Sequence, residues 1–515
     1  MDILKRWHAL TGKKSILCTG TDEHGMKVQQ AAKKAGEDTK AFCDQNCEHF
    51  VRLAKAANID YDHFIRTTDP DHRFAVQHFW LSLKERGFIY QSKHEGWYSV
   101  SDETFYPPSQ VRRALDPATG RTFLASVETG KEVEWTSEIN YHFKLSQMRD
   151  KLLQYYKENP NFIVPETRMK EVVAAVTEGL EDLSVSRPRE RLNWGIPVPD
   201  DDSQTIYVWL DALINYITKS NYPFQIPGEE HLGGWPADVQ VVGKDIVRFH
   251  CIYWPAFLLA LGIPPPKQVL THAHWTLGRQ KMAKSTGNVV DPFFAMDRFG
   301  VDVMRYYLAH NGGIRDDADY ENSYILREYK KGLQGGIGNL TTRLLRSKKW
   351  SVREAVQYIS AADGDIDPLS LGAEHIRVLK ALPSAVAEKF ASLDSGAALR
   401  EIMAFVAETN RFITDAAPWH LTQLDPGIKD RHLNTTIFAL AESLRICGLL
   451  LQPFMPEKSA QLLDMLGVAS DRRMCTEENL RVGADYDYGV AVVPLRGEEG
   501  TLFPRLACDE PEPRY

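Results

Sequence analysis

The residues able to do chemistry in this chain concentrate between positions 271 and 292, THAHWTLGRQKMAKSTGNVVDP, around Lys281, Lys284 and Ser285. Two lysines three apart, followed by Ser285-Thr286-Gly287-Asn288, make a cationic loop that can reach over a polyphosphate and neutralise charge as pyrophosphate departs. A solvated basic turn has the same letters, and the pentapeptide alone does not separate the two readings. Upstream, Val241 to His250 (VVGKDIVRFH) reads as an apolar strand, a Gly243-Lys244-Asp245 turn and a helix. That order fits a nucleotide site at the carboxyl edge of a parallel sheet. Glycine there lets backbone approach the ligand, and the Asp245 carboxylate can accept ribose hydroxyls.

These residues need a scaffold, and strand and helix patterns alternate through the first half of the chain. Residues 14–19 read as a short buried strand ending in Gly20-Thr21-Asp22-Glu23-His24-Gly25, with a helix from Met26 to about Ala35. Asp22 therefore stands at a strand's carboxyl end, where α/β sheets bind ligands, although a helix cap uses the same residue type. Helices follow at about 37–57 and 70–86, the second with Asp69 as N-cap, and Tyr61 to Thr68 reads as a strand. Tyr207 to Tyr216 begins as a strand and becomes a helix on which Trp209, Ala212, Leu213 and Tyr216 share one face at i, i+3, i+4 and i+7. Core packing is the usual meaning of such a stripe.

Between these parts, residues 90–138 carry short aromatic and β-branched runs that read as a small mixed insertion, with helices at 147–158 and 169–180. Residues 182–187 reopen the sheet. After a strand at 267–271, His272 and His274 have metal-like spacing but no third ligand in view, and they read as scaffold. Beyond Pro292 the chain turns helical, with segments at 293–310, 332–347, 372–393, 396–415, 430–451 and 456–466, the pattern of an all-α bundle. Asp302, Tyr306 and Tyr307 are placed to support the base of the lysine loop. Asn339 and Arg343 share a helical face, and Trp419 lies at a helix end from which an indole can stack on an unpaired base. An ordinary basic face and a packed tryptophan are the alternatives.

With 515 residues, several domains are expected. Hydrophobic residues make up 43% and charged residues 25%, which is ordinary globular composition. No apolar run approaches the roughly 18 to 20 residues that cross a bilayer, so no membrane partner is expected. The net charge of −8 gives no global attraction for nucleic acid, and any RNA contact must use local basic patches. Seven dispersed cysteines suit a reducing compartment. Only Cys43 and Cys47 are near neighbours, and no second pair completes a metal site.

The lysine loop, GKDIVRFHCIYW, YVWLDALINY at 207–216 and TGTDEHG at 19–25 occur here in the order of the class I aminoacyl-tRNA synthetases. Among these, the chain resembles the methionyl-tRNA synthetases along nearly its whole length. The resemblance implies an α/β fold: a Rossmann-like doubly wound parallel sheet with an inserted small mixed domain, followed by an all-α anticodon-binding helix bundle. The expected boundaries are 1–88 and 187–290 for the halves of the catalytic domain, 89–186 for the insertion, 291–345 for a linking region and 346–515 for the bundle.

The resemblance also implies roles. L-methionine would be held by Asp22 at its ammonium group and by Trp209, Ala212, Leu213, Tyr216, His250 and Trp254 at its side chain. ATP, with Mg2+ held mostly by its phosphates, would meet Gly243, Asp245, Lys281 and Lys284, with Ser285 in the catalytic loop. The tRNA(Met) anticodon would be read by Asn339, Arg343 and Trp419. No cysteine lies between 48 and 250, and Ser99 stands where a zinc ligand might be, which implies the zinc-less type found in mitochondria and some bacteria. A mitochondrial matrix location follows from that type, with the cytoplasm as alternative, and the lack of a carboxyl-terminal dimerisation module implies a monomer.

One family signature, a His-Ile-Gly-His-like turn after the first strand, has no match in this sequence, and residues 1–12 read as the helix that follows it. The expectation is a chain that starts one strand and one turn late. A tRNA-binding relative without catalysis is the second reading.

Overall fold

A parallel ladder joins the strands Cys18–Thr21 and His63–Arg66, each of which precedes a helix. Gly20 is required at this contact, because a Cβ there would lie 1.8 Å from the Ile65 carbonyl oxygen. A second parallel ladder runs from Val239–Gly243 to Gln268–His272 to Ile163–Val164. The parallel sheet of this α/β fold therefore exists as two hydrogen-bonded pieces, of two and three strands. The structure, a computed structural model, describes residues 1–506 apart from 101–103, 117–118, 225, 227, 229, 283–286 and 498–499. Lys284 and Ser285 lie outside the described residues.

Two compact units divide the chain. The first comprises residues 18–52 and 61–272 and contains both parallel ladders and the insertion. Its core gathers Phe79, Trp80, Phe143, Ile163, Ile214, Trp254 and Phe257, all at or near zero exposure. The insertion is a meander in which the long strand Ile89–Ser99 pairs antiparallel with Thr104–Tyr106 and with Glu134–Phe143.

Two expectations change here. Residues 183–184 and 186–188 do not reopen the parallel sheet: they pair antiparallel with Glu134–Phe143 and with Asp201–Ile206. Ile163–Val164, inside the expected insertion, is instead a parallel strand.

The second unit comprises residues 1–17, 53–60 and 273–515. Its helices Ala373–Ala391, Ser395–Ala416, Pro426–Leu451 and Pro456–Leu466 match the expected segments closely. The helix Val352–Ala361 is an addition to them. Pro426–Leu451 is long and apolar enough to cross a membrane by composition, but it runs through the middle of this unit with nearly all of that stretch buried.

The helix Asp2–Leu10, expected in the catalytic half, groups with this second unit. Trp7 stacks on Phe390 with ring centroids 4.2 Å apart, and the buried Asp2 carboxylate pairs with Arg305 and accepts from the Asp60 amide at 2.8 Å. Buried charge left unpaired is expensive, which ties this helix to that partner. The break between units falls at 272/273, so the lysine-loop segment also belongs with the second unit and not with residues 187–272.

Candidate functional site

The helix Val208–Thr218 starts one residue after the strand Asp201–Ile206, with Tyr207 as its N-cap. Its face carries Trp209, half-buried and stacked on Phe249 at 3.6 Å between centroids, then Ala212 and Tyr216. Leu213 is 2% exposed and lies in the core, so it backs this wall.

Opposite Tyr216 stands His250, on a π-helical stretch Phe249–Tyr253 that follows the strand Val239–Gly243 and the turn Lys244–Ile246. Such i→i+5 turns insert an extra residue into a helix and recur at functional sites. The Tyr216 hydroxyl and His250 Nε2 are 2.7 Å apart, and His250 Nδ1 lies 2.9 Å from the Ile246 carbonyl oxygen. A carbonyl only accepts, so Nδ1 carries the proton. Burial brings the His250 pKa down to about 4, against the smaller upward pull of the Ile246 bond, and the ring is neutral. Nε2 must therefore accept from the tyrosine. The polar atoms of Tyr216 and His250 are turned onto each other. Trp254 is fully buried behind them, 6.3 Å from Tyr216 between ring centroids.

Asp22 is exposed at the end of the strand Cys18–Thr21, and its carboxylate is close enough to raise the pKa of both His24 and Tyr216. Glu23, the next residue, is buried and has a different task. It accepts from Thr21 at 2.7 Å, from Thr68 at 2.6 Å and from Arg66 at 2.7 and 2.9 Å, a bidentate pair that locks the loop. Trp194 completes the clamp by donating its indole N–H to the Glu23 carbonyl oxygen at 2.6 Å.

His24 does more than order that loop. Its Nδ1 lies 2.6 Å from Asp211 Oδ2, while His72 Nε2 lies 2.7 Å from Asp211 Oδ1. Asp211, fully buried on the helix that carries Trp209 and Tyr216, thus joins the Asp22 loop to the helix Pro70–Glu85. Burial pushes its carboxyl up, but the attraction and hydrogen bonds of His24 and His72 outweigh that and bring it to about 2. The His24 ring is raised in turn, the Asp211 attraction overcoming desolvation. The sequence reading missed Asp211, His72, Glu23 and Arg66. The one available signal was a lone carboxylate inside an otherwise apolar helix, which needs a partner when buried.

Gly243 ends its strand and Asp245 is exposed in the following turn. Among the described residues, no group of three His, Cys, Asp or Glu side chains could hold a metal ion. Ser99 is fully buried in the insertion. Nearby, Arg187 is 1% exposed, with its guanidinium 4.0 Å from the Tyr207 ring, 5.0 Å from Phe105 and 5.2 Å from Tyr98.

In the second unit, Lys281 ends a hairpin. The strand Gln280–Lys281 pairs antiparallel with Trp275–Leu277 across Gly278 and Arg279, whose φ values of 59° and 62° fit a type I′ turn. Asp319 accepts from the Thr276 hydroxyl at 2.7 Å and the Arg279 amide at 2.9 Å, holding both sides of that turn. Asn288 Nδ2 donates to the Lys281 carbonyl oxygen at 3.2 Å. Tyr307 supports this base through the Asp319 carbonyl oxygen at 3.2 Å. Asp302 does not. It accepts from the Lys458 amide at 2.7 Å in the first turn of Pro456–Leu466, while Tyr306 stacks on His310.

The same unit brings Asn339, Arg343 and Trp419 together. Arg343 lies 5.6 Å from the Trp419 ring centroid and 3.2 Å from the Thr414 hydroxyl, and Asn339 lies 3.4 Å from Asn410. Trp419 takes its place because Ala417 adopts a left-handed conformation, φ 43° and ψ 58°, that ends one helix before Pro418 begins the next. Strained non-glycine residues of this kind recur at binding sites.

The family model for class I tRNA synthetases (M) matches residues 1–345. The chain is 55% identical to the probable mitochondrial methionine–tRNA ligase of Neurospora crassa, covering 99% of this chain and 82% of that protein. It is 40% identical to the mitochondrial methionine–tRNA ligase of Homo sapiens, over 98% of this chain and 86% of the human one. The crystal structure of Mycobacterium tuberculosis methionyl-tRNA synthetase bound by methionyl-adenylate superposes with a TM-score of 0.85 at 36% identity, covering 98% and 95% of the two chains.

Proposed function

The chain belongs to the mitochondrial methionine–tRNA ligases of class I, and from that membership we propose how its residues divide the work. The reaction is two-step. The methionine carboxylate attacks the α-phosphorus of ATP, pyrophosphate leaves, and the methionyl group of the adenylate then passes to tRNA(Met).

Asp22 takes the methionine ammonium group, a charge-assisted contact that its exposure leaves accessible. The observation that carries the side-chain assignment is the Tyr216–His250 hydrogen bond. With both polar atoms committed to each other, the rings offer apolar and polarizable surface to a thioether, beside Trp209 and Ala212. Trp254 and Leu213 hold that wall from behind. Asp245 positions the ribose and Gly243 admits the backbone of the turn to the nucleotide. Lys281, Lys284 and Ser285 stabilise the charge that develops on the departing pyrophosphate. Magnesium arrives with ATP and is held by the phosphates, where it neutralises part of their charge.

Arg187, enclosed by Tyr98, Phe105 and Tyr207, does for the insertion what a zinc knot does elsewhere, and no structural zinc is needed. Asn339, Arg343 and Trp419 read the anticodon, and the chain works as a monomer without a membrane. No observation favours a tRNA-binding role without catalysis.

Methionine-dependent ATP–pyrophosphate exchange tests this reading, with Lys284→Ala and His250→Ala as controls. Exchange that is lost in the first control and needs far more methionine in the second supports it. Absence of exchange in a folded chain overturns the catalytic assignment.

A further inference from the structure

We infer that Asn410 is a positioning residue that decides which end of the Asn339 amide faces a bound base. The inference rests on the anticodon reading above. Asn410 Nδ2 donates to the Gly336 carbonyl oxygen and to the Val406 carbonyl oxygen, both at 3.1 Å. An amide nitrogen has two hydrogens, and both are committed. The Asn410 Oδ1 is then the atom that faces Asn339, and it can only accept. Asn339 must turn its Nδ2 inward, at 3.4 Å, because the reverse orientation would set two carbonyl oxygens against each other. The exposed Asn339 amide therefore presents its Oδ1 outward.

Asn410 also anchors the neighbouring donor. Its carbonyl oxygen receives the Thr414 hydroxyl proton at 2.9 Å, which leaves the Thr414 oxygen to accept from Arg343 Nη1 and Nη2 at 3.2 Å each. One asparagine thus sets an outward acceptor at Asn339 and steadies the guanidinium beside the Trp419 ring. The face complements a base edge with an exocyclic amino group opposite Asn339 and acceptors opposite Arg343. A base with a carbonyl at that place meets acceptor against acceptor.

The test compares kcat/KM for aminoacylation of tRNA carrying cytosine or uracil at each anticodon position in turn. Four enzymes are needed: unsubstituted, Asn410→Ala, Asn339→Asp, and the double variant. Each ratio is taken on one preparation, so partial loss of folded enzyme cancels. The unsubstituted enzyme should prefer the amino-bearing base at one position, and Asn410→Ala should lower that preference about ten-fold by freeing the amide to flip. Adding Asn339→Asp should restore most of it, since a carboxylate presents an acceptor whichever way it turns. An unchanged ratio in Asn410→Ala, or no recovery in the double variant, overturns the inference. Trp419→Ala separates the two levels: tRNA kinetics untouched by that change would overturn the anticodon reading itself.

Discussion

The Tyr216 hydroxyl stands 2.7 Å from His250 Nε2, and the hydrogen bond runs only from tyrosine to histidine because Nδ1 is held protonated by the Ile246 carbonyl oxygen. Tyr216→Phe leaves a neutral, buried Nε2 without its donor. An unsatisfied buried acceptor costs about 1 to 3 kcal/mol. The KM for methionine in pyrophosphate exchange should rise about ten-fold, while the KM for ATP stays close to its original value.

Two buried histidines make the protein sensitive to acid. Desolvation brings both His250 and His375 down to about 4, the latter packed between Phe405 and Phe412. An unfolded histidine titrates near 6.5, so below that pH the unfolded chain binds protons that the folded chain refuses. Stability falls as pH drops from about 6.5 toward 4, and at pH 5 each ring should account for about 2 kcal/mol. Urea midpoints at pH 7 and pH 5 measure this loss, and His375→Asn should remove its share.

His24 acts on the alkaline side. Its pKa is raised, so the stability from its pairing with Asp211 is complete below about 6.5 and is lost as pH rises through the folded value. Asp211→Asn should abolish that dependence while keeping the shape of the site. Asp211→Ala, which leaves two imidazoles facing an empty partner, should destabilise by about 3 to 5 kcal/mol. Thermal melts across pH 6 to 9 separate the two variants.

Asp319 should matter to catalysis without touching substrate. It ties Thr276 to the Arg279 amide across the turn that precedes Lys281. Asp319→Ala should lower kcat for exchange about ten-fold with little change in the KM for methionine. Arg279→Gly, at φ 62°, relieves a left-handed conformation worth about 1 kcal/mol and should leave exchange unaffected.

Arg187→Ala should loosen the insertion, since it empties an aromatic enclosure and removes the nearer of two cations from Glu138, leaving Arg191 at 3.8 Å. The cost expected for losing a desolvated cation–π enclosure is about 2 kcal/mol or more. A chelator, by contrast, should leave the melting temperature of the unsubstituted protein unchanged. A drop on chelation would reinstate a metal in the insertion.

What could be read in advance follows periodicity. The stripe Trp209, Ala212, Leu213 and Tyr216 was legible because a helix repeats every 3.6 residues, and the long bundle helices were legible for the same reason. Ile163–Val164 was not, because two residues carry no period. Asp182 to Arg187 looked like a return to the parallel sheet because antiparallel and parallel strands share composition when both are buried. The π-helical turn at His250 depends on backbone packing rather than on letters. Asn410 and Thr414 read as ordinary polar residues on an amphipathic helix, and only their hydrogen bonds give them a task.

The pairing of Trp7 with Phe390, and of the Leu10 carbonyl oxygen with the Cys475 amide at 2.8 Å, joins residues that leave the ribosome hundreds of codons apart. The indole of Trp7, on the helix Asp2–Leu10, meets its stacking partner only once residue 390 has been made. A slow stretch of translation before residue 390 would lengthen the time before that contact can form.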